Sequence, residues 1–147
     1  MTTIAFDGMV LAADTLGVDH YGLRSTIHKI INGPVWVAGF AGSHGKMIKW
    51  QNATRHMGID EVLAYGYPTF EKEVDDPAIM VIERASGLIW RHTDGVLTAH
   101  HNKQFAIGSG RDYALMAMHM GLSSKRAIIE VSKFDVYTND MIDELEL

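Results

Sequence analysis

The chain has 147 residues, 47% of them apolar and 21% charged, with a formal net charge of −5. That composition suits one globular domain, spanning residues 1–147, and argues against disorder. The negative balance and the scatter of Lys and Arg argue against a phosphate-binding footprint. The absence of cysteine excludes a disulfide frame, a thiolate metal site and a cysteine nucleophile.

The elements are taken from the N-terminus. Thr3 to Phe6 reads as a short strand and Met9 to Ala13 as its return. Asp7-Gly8 is the expected two-residue turn between them. With that turn Phe6 pairs with Met9, and Thr2 and Thr3 lie beside Ala12 to Asp14. Ser25 to Ile31 reads as a third strand ended by Asn32-Gly33-Pro34. Val35 to Ala41 is almost wholly apolar, as in a strand covered on both faces. Gly42 to His56 has helical character, and Ile59 to Tyr65 suits a short helix. Gly66, Pro68 and Glu71-Lys72-Glu73 mark a loop.

Strands resume at Ala78 to Glu83, turn at Ala85-Ser86-Gly87, and return over Leu88 to His92. Lys103 to Ile107 is a further strand leading into Gly108-Ser109-Gly110 and a helix from Arg111 to Met120. Gly121 ends that helix. Ser123 or Ser124 caps a second helix reaching about Lys133. Asp135 to Tyr137 is the expected last strand. Hairpins dominate and the helices are grouped, so the fold class is layered α+β with largely antiparallel sheets.

No segment approaches the roughly 18 apolar residues of a membrane span. The N-terminus lacks the basic and apolar regions of a signal peptide, which makes a cytoplasmic protein the default.

A few residues stand out chemically. In a strand, Lys29 shares a face with Ser25, Ile27 and Ile31. Either the outer face happens to carry a lysine, or the lysine is partly buried with a depressed pKa suited to proton transfer. Asp14 ends an apolar run at the same end of the hairpin as Thr2. Thr2 follows Met1 directly, and a small second residue permits removal of the initiator methionine. A threonine with a free amine carries nucleophile and base in one residue, the amine having a reference pKa of about 7.7–8.0. Gly39-Phe40-Ala41-Gly42-Ser43 joins a buried strand to a helix and is a candidate oxyanion hole. Gly108-Ser109-Gly110 is a similar junction with a hydroxyl added, but it is not the G-x-S-x-G elbow. The eight histidines show no metal-ligand spacing. Met116, Met118 and Met120 are expected to fill gaps between layers and against a subunit partner. Trp36, Trp50 and Trp90 are expected in the core or an interface.

Taken in order, these segments resemble a known family. Thr2-Thr3-Ile4 and Val10-Leu11-Ala12-Ala13-Asp14-Thr15 are similar to the opening of mature proteasome β-type subunits, nearest the bacterial HslV (ClpQ) type. His28-Lys29-Ile30, Val37 to Gly42, Ala106 to Ala114 and Asp135 to Asn139 match further family segments in sequence order. The resemblance spans residues 2 to about 145. It implies an N-terminal-nucleophile (Ntn) hydrolase with a four-layer αββα sandwich. It assigns Thr2 as nucleophile, Lys29 as the charge that lowers its hydroxyl pKa, and Asp14 as the residue orienting Lys29. Gly42 would donate to the oxyanion, and Ser109 and Asp135 would complete the network around the Thr2 amine. It implies a homo-oligomeric ring acting on unfolded polypeptides, often fed by an AAA+ unfoldase, with no cofactor. The stretch from Gly42 to Ala78 is short for the family, so one of its two helices is expected to be lost or reduced to a turn. With nothing but Met1 ahead of Thr2, maturation would rest on methionine removal. Two rivals remain: an inactive structural or assembly subunit, and an amidohydrolase acting on a small amide.

Overall fold

The computed structural model describes residues 2–19, 21–67, 77–93 and 95–147. The loop expected around Pro68 and Glu71 to Glu73 lies outside the described residues, apart from its first residue, Gly66.

The first sheet has the order β10-β1-β2-β11, from Phe105–Gly108, Thr3–Phe6, Val10–Asp14 and Ile142–Glu146. The second has the order β5-β6-β7-β8-β9, from Ile30–Asn32, Trp36–Ala41, Ala78–Glu83, Ile89–Thr93 and Val96–His100. A two-stranded ribbon, β3 (Leu16–Val18) and β4 (Arg24–Thr26), leads from one to the other. All these pairings are antiparallel.

Period-2 alternation sorts the side chains into layers. Ile4, Phe6, Leu11, Ala13, Val37, Met80, Ile82 and Ile107 form the apolar layer between the sheets. Ala5, Ala12 and Ala106 point the other way, onto α3 (Arg111–His119) and α4 (Ser124–Val131), where they meet Ala114, Met118, Ile128 and Val131. The small side chains let those helices lie close to the strands. Trp36, Ala38, Phe40, Ile79 and Val81 face α1 (His44–Thr54) and α2 (Ile59–Tyr65), meeting Met47, Trp50 and Val62. The result is helices, sheet, sheet, helices: the expected αββα order. Gly39 sets the spacing between sheets, since a Cβ there would lie 2.6 Å from Ile4 Cγ2.

Several details correct the sequence reading. The first turn is Gly8-Met9, with Ile4 opposite Ala13 and Phe6 opposite Leu11. Asp7 is a flanking residue whose Oδ1 accepts from Met9 N and Val10 N at 3.0 and 2.9 Å, and Gly8 supplies the positive φ of +100°. The stretch Ser25 to Ile31 is not one strand: it breaks after Thr26 and resumes at Ile30, leaving Lys29 between strands. Neither helix between Gly42 and Ala78 is lost. Both are short, 11 and 7 residues, and each buries part of one face. Asp135 to Tyr137 is a turn, because Asp135 N bonds back to Val131 O and Asp135 Oδ1 takes Tyr137 N. The last strand is Ile142–Glu146, and β3 and β9 were not expected. Met118 is buried, whereas Met116 and Met120 face outward. Trp36 and Trp50 are core residues in edge-to-face contact at 5.7 Å.

Candidate active site

The site forms where the ends of β1 and β2 meet the segment before β5. Antiparallel pairing of β1 with β2 places Asp14 beside the chain start. The Asp14 side chain is fully buried, and four donors surround it. Its Oδ1 accepts from Thr2 Oγ1 at 2.6 Å, Thr3 N at 2.8 Å and Lys29 Nζ at 2.9 Å. Its Oδ2 accepts from Leu16 N at 3.0 Å. A buried carboxylate with this many donors, one of them cationic, is well compensated.

Lys29 is 5% exposed and comes from the gap between β4 and β5. Phe40 N donates to its carbonyl at 3.0 Å, and Ile27 N donates to Thr15 O at 2.8 Å, so backbone bonds hold the segment on both sides. Burial pulls its ammonium below the ordinary 10.5, and the Asp14 carboxylate works against that pull. The second sequence reading of this lysine, buried and depressed, is the one found.

A second cluster adjoins the first. Ser109 Oγ donates to Asp135 Oδ2 at 2.7 Å and lies 3.3 Å from Thr2 O. Thr138 Oγ1 donates to the same Asp135 oxygen at 2.8 Å and lies 2.6 Å from Thr3 Oγ1. Partial burial would raise the Asp135 pKa, but the bonds from Ser109, Tyr137 N and Thr138 outweigh it and hold the carboxyl below its ordinary range. Two glycines let the chain start approach this turn. A Cβ on Gly108, whose φ is +96°, would lie 1.9 Å from Thr2 O, and one on Gly110 would lie 2.2 Å from Thr3 Oγ1.

Five of the six residues singled out from sequence therefore join: Thr2, Asp14 and Lys29 directly, Ser109 and Asp135 through Thr2 O. Gly42 is not hydrogen-bonded to any of them among the described residues. It lies between β6 and Ser43, whose Oγ caps α1 by accepting from Lys46 N at 3.3 Å. Close packing on Pro77, 2.8 Å from a Cβ at Gly42, accounts for glycine there. Thr3 and Thr138 were missed. The spacing of Asp135 and Thr138, three apart in a turn, was the available signal, since a turn carboxylate commonly accepts from groups two or three residues on. No group of three His, Cys, Asp or Glu able to hold a metal ion occurs among the described residues.

No family model matches the chain, and no curated protein matches it in sequence. Solved structures do match over its whole length. Eukaryotic HslV from Trypanosoma brucei aligns over 99% of this chain and 98% of its own, with TM-score 0.77 and 18% identity. BPH from Thiobacillus denitrificans, in complex with epoxomicin, aligns over 100% and 98%, with TM-score 0.74 and 18% identity. A second BPH structure gives TM-score 0.74 at 16% identity, over 99% and 96%. The chain has the proteasome-type Ntn-hydrolase fold. The likeness to an HslV-like proteasome β-type subunit expected from the sequence is thus present in the fold. Within this fold, the Thr2 cluster sits at the ends of β1 and β2, beside the segment that precedes β5. No helix among the described residues is long and apolar enough to cross a membrane.

Proposed function

We propose that the chain is a threonine peptidase subunit whose nucleophile is Thr2, exposed by removal of Met1. The observation carrying this reading is the convergence of Thr2 Oγ1, Thr3 N and Lys29 Nζ on one buried oxygen of Asp14. A buried lysine beside a hydroxyl lowers the cost of forming the alkoxide. The freed amine, with a reference pKa of about 7.7–8.0, takes the hydroxyl proton. Thr2 Oγ1 then attacks a peptide carbonyl, and the Gly42 N–H stabilises the oxyanion. The C–N bond breaks, the ester to Thr2 forms, and the amine hands its proton to the leaving nitrogen. Water hydrolyses the ester by the same proton route. Asp14 orients Lys29, while Ser109 and Asp135 hold the amine in place.

By analogy with HslV, residues 1–147 act as one unit of a homo-oligomeric ring in the cytoplasm. The ring would cut unfolded polypeptides, with an AAA+ unfoldase as a candidate partner. The test of the chemistry is hydrolysis of fluorogenic peptides by the processed protein. Thr2→Ala should abolish it, and Lys29→Ala should lower it on the order of 100-fold or more. Unchanged rates in both variants would place the activity elsewhere.

One observation favours a second reading, an inactive structural subunit: with Met1 still ahead of it, Thr2 is buried, 1% exposed as a residue. That reading predicts no hydrolysis by the processed protein.

A further inference from the structure

Thr3 bonds to both carboxylate clusters, but its side chain has no place in the mechanism above. Its N–H donates to Asp14 Oδ1 at 2.8 Å. Its hydroxyl lies 2.6 Å from Thr138 Oγ1, beside the turn that carries Asp135. Both threonines are buried, Thr3 completely. A Cβ on Gly110 would lie 2.2 Å from Thr3 Oγ1 and 2.4 Å from Val131 Cγ1, so the hydroxyl is closely enclosed.

The supply of protons gives the threonine contact a direction. A threonine hydroxyl has one proton to donate. Thr138 Oγ1 gives its own to Asp135 Oδ2 at 2.8 Å. That carboxyl, held below its ordinary range, only accepts. The proton between the two threonines therefore comes from Thr3. The chain runs from Thr3 Oγ1 through Thr138 Oγ1 to the Asp135 carboxylate, and bonds chained in this way strengthen one another.

Packing does not call for a hydroxyl at this position. Thr3 shares a strand face with Ala5, toward the apolar layer under α3 and α4. Valine would copy the shape of threonine there. What the hydroxyl adds is an anchor next to Thr2. The ladder of β1 begins at Thr3, opposite Gly108, so Thr2 lies beyond the last paired residue. Residues at a chain end are poorly ordered unless tied down. A reacting atom misplaced by about 1 Å can cost on the order of 100-fold in rate.

We propose that the Thr3 hydroxyl is a positioning group for Thr2: anchored on Thr138 and Asp135, it fixes the Thr2–Thr3 peptide and so holds Thr2 Oγ1 at Asp14. The consequence for rate rests on the peptidase reading; the consequence for the order of Thr2 does not. Valine suits a strand as well as threonine does, so Thr3→Val should fold, and Thr3→Ser keeps the hydroxyl.

The test is methyl NMR on protein carrying 13C-methyl-labelled threonine, the Thr2 signal being assigned by its loss in Thr2→Ser. The order parameter of the Thr2 methyl group should fall in Thr3→Val and recover in Thr3→Ser. For peptide hydrolysis, kcat should fall about 10-fold or more in Thr3→Val with KM unchanged, and recover in Thr3→Ser. Equal Thr2 order in wild type and Thr3→Val would overturn the inference, whatever the rates. A loss of order that serine does not rescue would overturn it too, because shape rather than the hydroxyl would then be responsible. A loss rescued by serine, in a protein that hydrolyses no peptide, would keep the role of Thr3 and sink the peptidase reading.

Discussion

Asp14 shows what one residue contributes. Its fully buried carboxylate organises a hydroxyl, two backbone N–H groups and a lysine. Removing it would leave the Lys29 cation buried without its close partner. Breaking a buried pair in this way typically costs about 3–5 kcal/mol. Asp14→Ala should therefore lower the denaturant midpoint strongly, as well as abolish labelling of Thr2 by a peptide epoxyketone. Asp135 makes a different prediction, in pH. Its folded pKa lies below 3.8, so its network adds stability above pH 3.8 that is lost as pH falls through the folded value. In acid titrations of stability below pH 3.8, Asp135→Asn should lose less than the wild type. An identical acid slope would contradict that assignment. Sequence marked Lys29 and Asp14 as odd because one stood among isoleucines and the other ended an apolar run. Hydroxyls such as Thr3 and Thr138 carry no such mark, since threonine fits strands, turns and surfaces alike.

At the scale of elements, the turn Gly108-Ser109-Gly110 and the first hairpin decide whether the site assembles. Gly108 combines a positive φ with a Cβ position occupied by the Thr2 carbonyl. Gly108→Ala should cost about 1 kcal/mol or more and displace the chain start. Calorimetry and the labelling rate should fall together. Asp7 ties the hairpin to α4, its Oδ2 accepting from Ser124 N at 2.9 Å and its Oδ1 from Met9 and Val10. Asp7→Ala removes that end-cap and should cost about 0.5–2 kcal/mol without loss of labelling. The hairpin itself was legible, but its register was not. Asp-Gly suggested a turn at residues 7 and 8, whereas the Asp7 side chain closes a turn one residue later. Strand β9 escaped notice because its residues are mostly exposed and it alternates weakly. Asp135 to Tyr137 has strand-like composition, yet side-chain bonds from Asp135 fold it into a turn.

For the whole molecule, three apolar layers hold the sheets and helices together, the middle one lying between the two sheets. Ile107, fully buried between the sheets, illustrates this. Ile107→Ala should lower unfolding free energy by about 2–5 kcal/mol, whereas Met116→Ala, on the exposed face of α3, should change it by less than about 0.5 kcal/mol. Urea titrations of the two variants would check this. Layered α+β with antiparallel sheets was readable from the hairpins and the grouping of helices, whereas the αββα order came only with the family resemblance. The shortened α1–α2 layer was read too pessimistically, because Gly58 and Gly66 interrupt the segment without abolishing either helix. Gly58 precedes α2 and Gly66 follows it, so each marks an end rather than a break.

The central claim is that Thr2, with its own free amine, is a working nucleophile. Intact mass of the purified protein, before and after incubation with a peptide epoxyketone, tests it most directly, because that probe needs both the hydroxyl and the amine. The account predicts loss of Met1 followed by one adduct per chain, located on Thr2. A processed protein that takes no label, or a chain that keeps Met1, would contradict it.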